Sequence, residues 1–157
     1  YADVILESGL EFDLMFGPAY KGIPLASAIS TILNLRSSKP FPFAFDRKEA
    51  KSHGEGGSIV GELKDKRVLI VDDVLTAGTA LKQSIDTINS EGGTVVGSLV
   101  ALDREEILHG ALARDIILND FNIDVMSIAR ISQLVEFFYL SDREEEATTI
   151  KNYLTSL

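Results

Sequence analysis

Short apolar runs alternate along the chain with longer segments in which apolar residues recur at helical spacing. Five apolar runs predict strands: residues 12–16 (FDLMF), 42–45 (PFAF), 67–73 (RVLIVDD), 94–102 (TVVGSLVAL) and 123–128 (IDVMSI). Four segments predict helices: residues 22–35, 79–91, 131–140 and 142–154. Because short apolar strands separated by helices favour a covered parallel sheet, the pattern predicts an α/β fold with a mainly parallel central sheet flanked by helices.

One polar stretch interrupts this pattern. Residues 46–57 (DRKEAKSHGEGG) carry four positive or potentially positive side chains and end with three glycines in four residues. Such a composition predicts a flexible surface loop. Since no repeat, low-complexity tract or linker divides the chain, residues 1–157 are expected to form a single domain.

The length and composition are those of a globular domain. The chain has 157 residues, of which 45% are hydrophobic and 25% charged. The absence of cysteine excludes disulfides and thiolate metal sites and is compatible with a reducing cytosol. No apolar run approaches the roughly 20 residues that span a bilayer, and the N-terminus lacks a basic region before an apolar stretch. These features predict a soluble, untargeted, cytoplasmic protein without a membrane partner.

The overall charge bears on which partners the chain can bind. Fifteen lysines and arginines stand against 24 aspartates and glutamates, giving a formal charge of −9. Broad binding to nucleic acid needs a basic face, so the balance argues against a nucleic-acid partner. If a smaller polyanion binds, a local basic cluster must hold it.

An acidic pair stands where the apolar run 68–71 meets a loop of small residues. Asp72 and Asp73 are adjacent, and because side chains alternate across a regular strand, the pair predicts that the chain is already turning and presents both carboxylates at the sheet edge. Free N–H groups at the start of the following helix, with the hydroxyls of Thr76 and Thr79, suit a phosphate. A plainer alternative is that the aspartates cap a helix and that a glycine serves a turn.

Residues 68–80 (VLIVDDVLTAGTA) closely resemble the phosphoribosyl-pyrophosphate signature of type I phosphoribosyltransferases. In that family the acidic pair holds the ribose hydroxyls and the T-A-G-T loop holds the 5′-phosphate. Residues 16–26 (FGPAYKGIPLA), 47–57 (RKEAKSHGEGG) and 102–105 (LDRE) resemble the orotate phosphoribosyltransferases, in the same order and at similar separations. The resemblance fades after Arg104, where EEILHG replaces a segment that contains glycine and arginine in the family.

The resemblance implies the type I phosphoribosyltransferase fold with a flexible catalytic loop. It also implies transfer of a phosphoribosyl group from phosphoribosyl pyrophosphate to orotate, giving orotidine 5′-monophosphate and pyrophosphate, in pyrimidine (UMP) biosynthesis. The implied catalytic residues are Lys51, His53, Asp72 and Asp73. The implied substrate-binding residues are Tyr20, Lys21, Arg47, Lys48, Lys51, His53, Asp72, Asp73, Val74, Leu75, Thr76, Ala77, Gly78, Thr79, Ala80 and Arg104.

Each group of these residues has an implied task. Tyr20 and Lys21 would lie beside the pyrophosphate. The loop that carries Lys51 would close over it, and Thr76 and Arg104 would contact the orotate.

A magnesium ion and a second subunit are also implied. Mg²⁺ should bridge the pyrophosphate with the substrate supplying most ligands, since the sequence contains no dedicated metal cage. The family implies a homodimer with shared active sites. It also implies an N-terminal arm of some tens of residues, contributing a lysine and an aromatic pair, before the point where this chain starts.

Two other functions fit the phosphate signature. A purine or uracil phosphoribosyltransferase shares it, although the R-K-E-A-K-x-H-G loop argues against that alternative. A regulator that senses phosphoribosyl pyrophosphate would keep the acidic pair without needing a catalytic lysine, yet Lys51 is present and no DNA-binding segment is evident. Taken alone, Lys21 could be a solvated charge, residues 47–57 a basic surface loop, and His109 a surface histidine.

Overall fold

Helices and strands alternate through residues 1–47 and 59–155, the part of the chain that the computed structural model describes. The helices are α1 (Ala2–Ser8), α2 (Gly22–Arg36), α3 (Thr79–Ser90), α4 (Ala113–Phe121), α5 (Ile131–Leu140) and α6 (Glu144–Thr155). The strands are β1 (Leu14–Gly17), β2 (Phe43–Asp46), β3 (Ile59–Val60), β4 (Arg67–Leu75), β5 (Thr94–Asp103), β6 (Ile107–Leu108), β7 (Ala111–Leu112) and β8 (Val125–Arg130).

A six-stranded sheet forms the centre of the described structure, with strand order β3-β2-β1-β4-β5-β8. Its neighbouring strands run parallel except for β3, which pairs antiparallel with β2. Strands β6 and β7 form a separate antiparallel hairpin. The predicted α/β fold with a mainly parallel sheet is therefore confirmed.

The two faces of the sheet bury separate hydrophobic cores. In β1, Phe16 packs into the core shared with α3 and α4, whereas the adjacent Met15 packs into the core shared with α1 and α2. Strand β4 divides in the same way, with Ile70 on the α3 side and Leu69 on the α2 side. Residues that alternate between two buried faces must be apolar almost throughout, and this explains the continuous apolar runs in the sequence.

The five predicted strands and four predicted helices are all present, with shifted ends. Asp46 was expected in the polar loop but is the last residue of β2. The mobility predicted for residues 46–57 falls mostly on residues outside the described part. Helices α1 and α4, strand β3 and the β6–β7 hairpin were not predicted. No helix in residues 1–47 or 59–155 is long and apolar enough to cross a membrane.

Candidate active site

The sheet order changes direction between β1 and β4, at the middle of the sheet. From β1 the chain crosses through α2 to β2 on one side, and from β4 it crosses through α3 to β5 on the other. In open α/β sheets such a switch point leaves a crevice at the carboxyl ends of the strands, where ligands bind. The end of β4 and the segments that follow β1 and β4 contain most of the site residues expected from the sequence.

Asp72 and Asp73 lie within β4 and not in a turn. The strand continues to Leu75, and its pairing with β5 runs through Asp72↔Val100 to Leu75↔Asp103. The expectation that the chain turns at the acidic pair was therefore wrong. Backbone pairing with β5 keeps the strand regular, whatever the polarity of its side chains.

Because the strand is regular, the two carboxylates point to opposite sides of the sheet. Asp72 lines the same cleft as Ile70, Val74 and other residues on the α3 side. Asp73 accepts a hydrogen bond from Nζ of Lys21, at 2.6 Å, on the side of α2. The acidic pair thus offers carboxylate oxygens to both sides of the end of β4.

Asp72 is half-buried, and its surroundings disfavour the charged form. Burial raises the pKa of Asp72, although a hydrogen bond from the Asp73 N–H to its Oδ1, at 2.9 Å, acts in the opposite direction. The nearby charge of Asp73 raises this pKa further. The main-chain carbonyl of Asp72 is fixed separately, because it accepts a hydrogen bond of 2.7 Å from the Tyr1 hydroxyl.

Lys21 stands at the other side of the crevice, immediately before α2. Its hydrogen bond to Asp73, reinforced by the charge of that carboxylate, raises the pKa of Lys21. The Lys21 side chain is 76% exposed and that of Asp73 is 33% exposed. Lys21 is thus a largely exposed lysine whose ammonium group joins the segment after β1 to the acidic pair, and its place beside the pyrophosphate stays a prediction.

The loop between β4 and α3 has the geometry of an anion cradle. Gly78 precedes the helix in a left-handed conformation, φ 78°, which glycine adopts without strain. No side chain caps α3, and no acidic residue lies in its first turn. The first N–H groups of a helix have no intrahelical acceptor and carry a partial positive charge, so this end favours a phosphate.

A narrow cleft joins this loop to the acidic pair. Its lining residues come from the turn after β1, from β4 and β5, and from the loop and first turn of α3: Pro18, Ile70, Asp72, Val74, Leu75, Thr76, Gly78, Ala80, Leu81, Ser98 and Val100. Of the other predicted loop residues, Ala77 is half-buried beside the cleft and Thr79 is exposed at the first position of α3.

The remaining predicted residues lie around the crevice or outside the described part. Tyr20 is 65% exposed in the turn after β1. That turn is joined to the end of β2, because the Ala19 N–H donates to Oδ1 of Asp46 at 2.6 Å. Arg47 is exposed at the end of the same strand. Lys48, Lys51 and His53 lie outside the described residues.

Arg104 follows the end of β5 and sits beside the phosphate loop. Its main-chain N–H donates to the carbonyl of Leu75 at 3.0 Å, next to Thr76. Nη2 of its guanidinium lies 3.1 Å from Oε1 of Glu106, and both side chains are largely buried. The structure therefore places the main chain of Arg104 next to the loop, and its contact with orotate stays a prediction.

Several residues that shape the site were not identified from the sequence. Tyr1 and Asp46 act through hydrogen bonds across 71 and 27 positions of the chain, which no local pattern reveals. Ser98 is fully buried in the cleft, and its hydroxyl has no hydrogen-bond partner in the described structure. A lone serine within the apolar run 94–102 was the one available signal for it.

The acidic side chains of the site also bear on metal binding. Within residues 1–47 and 59–155, no group of three or more histidines, aspartates or glutamates is arranged to hold a metal ion. Asp72 and Asp73 nevertheless offer hard carboxylate oxygens of the kind that Mg²⁺ prefers. These residues fit a magnesium ion that arrives with a phosphorylated substrate.

Comparison with known proteins identifies the family. The family model for the phosphoribosyl transferase domain matches residues 1–123 of this chain. The chain is 45% identical over 148 residues to the orotate phosphoribosyltransferases of Shigella boydii and Salmonella newport, a match that covers 94% of this chain and 68% of each relative.

Solved structures give the same result. An orotate phosphoribosyltransferase structure from Francisella tularensis matches with a TM-score of 0.80 and 34% identity, over 98% of this chain and 75% of that one. The UMP synthase of Leishmania donovani matches with a TM-score of 0.76 and 27% identity, over 99% of this chain and 32% of that one. The chain therefore belongs to the phosphoribosyltransferase family and, within it, to the orotate phosphoribosyltransferases.

Proposed function

We propose that this chain transfers the phosphoribosyl group of phosphoribosyl pyrophosphate to orotate, releasing pyrophosphate and forming orotidine 5′-monophosphate. The observation that carries the proposal is the acidic pair of β4 directly before an uncapped helix start, at the switch point of the sheet. Carboxylates accept hydrogen bonds from a diol, while the helix start accepts a phosphate. A sugar phosphate matches both groups at once.

The phosphate end of the substrate is held mainly by backbone. The N–H groups of residues 76–80 surround the start of α3, and the hydroxyls of Thr76 and Thr79 add donors. Asp72 and Asp73 then accept hydrogen bonds from the ribose hydroxyls. Because hydrogen bonds to charged groups are worth about 1.5–3 kcal/mol, the two carboxylates would supply a large part of the binding free energy.

Lys21 and Asp73 exchange partners when the substrate binds. In the described structure they neutralise each other at 2.6 Å. The substrate brings a hydroxyl for Asp73 and a pyrophosphate for Lys21, so each charged group gains a new partner. The exchange costs little, because the ammonium group of Lys21 is largely exposed and water already screens the pair.

The chemical step requires stabilisation of the leaving group. Departure of pyrophosphate leaves an oxocarbenium-like sugar and several developing negative charges. A lysine 4 Å from one such charge is worth about 1 kcal/mol in bulk water and about 4 kcal/mol at an effective dielectric constant of 20. Lys51 and His53 are predicted to supply this charge from a loop that excludes water. Mg²⁺ bound to the pyrophosphate would neutralise part of the same charge.

The orotate end of the site is assigned to Thr76 and Arg104. Arg104 follows the end of β5, and its main-chain N–H donates to the carbonyl of Leu75, the residue before Thr76. A guanidinium can grip a carboxylate through two parallel hydrogen bonds. This match supports a base that carries a carboxylate.

The proposal is tested by following orotate at its absorbance band, with and without phosphoribosyl pyrophosphate and Mg²⁺. We expect orotate to disappear only when both are present. Uracil and adenine in place of orotate serve as controls for the other phosphoribosyltransferases. Binding of phosphoribosyl pyrophosphate without loss of any base would contradict the proposal and favour a sensing protein.

The assembly and location belong to the same proposal. A homodimer with shared active sites is supported by membership of the family and by the charged segment 46–57, which could reach a neighbouring subunit. The cytoplasmic location expected from the sequence stays a prediction.

A further inference from the structure

The main chain around Arg104 is held in place by hydrogen bonds. Its N–H donates to the carbonyl of Leu75 at 3.0 Å. The adjacent Asp103 is 2% exposed, and its carboxylate accepts hydrogen bonds from the Glu105 N–H at 2.8 Å and from Nη1 of Arg114 at 2.6 Å. With the backbone held on both sides, the freedom that remains to Arg104 is the rotation of its long side chain.

Two side chains restrict that rotation, one from the same turn and one from α6. Glu106 contacts one guanidinium nitrogen at 3.1 Å, and its own carbonyl accepts a hydrogen bond of 2.9 Å from the Ala113 N–H at the start of α4. The ring of Tyr153, from α6, faces the guanidinium with its centroid 5.1 Å from Cζ. A ring on the face leaves the edges of the guanidinium for carboxylates, and an arginine has five N–H donors to share between them.

We propose that Tyr153 is a positioning residue for the carboxylate of the substrate: its ring holds the plane of the Arg104 guanidinium, so that α6 contributes to the selection of a carboxylate-bearing pyrimidine. The inference rests on the proposed function, in which Arg104 binds the carboxylate of orotate. Two parallel hydrogen bonds require the guanidinium and the carboxylate to be coplanar. A guanidinium without the ring must be ordered by the substrate itself, and this ordering weakens binding.

The position of Tyr153 favours this role over a purely structural one. The residue is 45% exposed, so its ring contributes less to packing than a core aromatic does. Tyr139 on α5 offers a matched comparison, since it is 41% exposed and faces Nζ of Lys151 at 5.5 Å. Both tyrosines thus face a cation, which is Lys151 of α6 for Tyr139 and Arg104 of the predicted site for Tyr153.

The test compares four variants of the full chain: Tyr153→Leu, Tyr153→Phe, Tyr139→Leu and Arg104→Lys. KM is measured for orotate and for phosphoribosyl pyrophosphate, together with the inhibition constant of orotamide, the uncharged amide of orotate. Tyr153→Leu should raise the KM of orotate about two- to five-fold, the range set by a partly exposed cation–π contact. The KM of phosphoribosyl pyrophosphate and the inhibition constant of orotamide should not change.

The other variants separate positioning from folding. Tyr153→Phe keeps the ring and should retain the wild-type KM, and Tyr139→Leu should do the same. An unchanged orotate KM in Tyr153→Leu, or equal weakening of orotate and orotamide, would overturn the inference. If the wild-type chain used orotate and Arg104→Lys lost it while Tyr153→Leu did not, the proposed function would stand without this inference. If the wild-type chain used no orotate, both would be wrong.

Discussion

The Asp72 carboxylate is half-buried in the cleft beneath the phosphate loop, with the negative Asp73 next to it in the chain. Burial, followed by the charge of Asp73, raises the pKa of Asp72 above the usual value of 3.8. A carboxyl group whose pKa is raised by folding opposes folding when it is ionised. Its retention in β4 is explained by the diol that it is proposed to bind.

Asp72→Asn should therefore stabilise the free protein while it weakens the binding of phosphoribosyl pyrophosphate. Asparagine keeps the Oδ1 that accepts from the Asp73 N–H, and it removes the buried charge. The gain in stability should be present at neutral pH and vanish as the pH falls through the raised pKa towards 3.8, where the wild-type carboxyl is also neutral.

The measurement is the Tm of both proteins as a function of pH, where 1 kcal/mol corresponds to about 2–4 °C for a domain of this size. Asp86→Asn is the control, because Asp86 is exposed on α3 and replacing its carboxylate should bring no such gain. A lower Tm for Asp72→Asn at neutral pH would show that burial of this charge does not destabilise the folded protein.

Helix α4 anchors the turn that contains Arg104. Arg114, on α4, bonds Oδ2 of the buried Asp103 at 2.6 Å and Oε1 of Glu105 at 3.3 Å. Glu105 in turn accepts from the Ser132 N–H at the start of α5, at 2.9 Å. One cluster of charges therefore joins β5, α4 and α5 immediately beside the predicted orotate site.

Arg114→Met should destabilise the protein strongly. It leaves the Asp103 carboxylate buried without its cationic partner, and breaking a buried pair in this way costs about 3–5 kcal/mol. Urea unfolding gives the change in the free energy of unfolding. The matched control is Lys82→Met, which breaks the exposed pair with Asp120 and should cost at most about 1 kcal/mol. Equal losses in the two variants would contradict the assigned importance of the buried cluster.

The elements that could be predicted are those with a long periodic or apolar pattern. The apolar run 68–71 located β4, yet its end was misplaced because the pairing of Leu75 with Asp103 is invisible in the local sequence. Helix α4 has nine residues with two buried positions, Ala113 and Ile117, a pattern too short to stand out. The loop 76–79 could be proposed as a phosphate site because its pattern is local, whereas contacts such as that of Tyr153 with Arg104 join distant parts of the chain.

The whole chain has a formal charge of −9, yet it is proposed to bind a highly charged anion. Among the described residues, the positive end of α3 gives a local positive region, to which Lys21 and Arg104 contribute once they exchange Asp73 and Glu106 for the anion. The basic residues of segment 46–57 would add to it. In the proposed homodimer, a second subunit would supply that segment.

Mixing two inactive variants tests whether the active sites are shared. Subunits with Lys51→Ala are combined in equal amounts with subunits carrying Asp72→Asn and Asp73→Asn. Random exchange makes half the molecules heterodimers, each with one intact and one doubly altered site, so about a quarter of the wild-type activity should return. Mass spectrometry verifies the exchange of subunits. No recovery after verified exchange would mean that each loop serves its own chain.

Calorimetric titration with phosphoribosyl pyrophosphate tests directly whether β4 and the loop between β4 and α3 form the substrate site. Replacing both Asp72 and Asp73 by asparagine keeps the size of the side chains and removes two charged acceptors. We predict at least about a tenfold loss of affinity, since each hydrogen bond to a charged group is worth about 1.5–3 kcal/mol. Asp86→Asn, on the exposed side of α3, should leave the affinity unchanged. Wild-type affinity in the doubly substituted protein would contradict the assignment of this site.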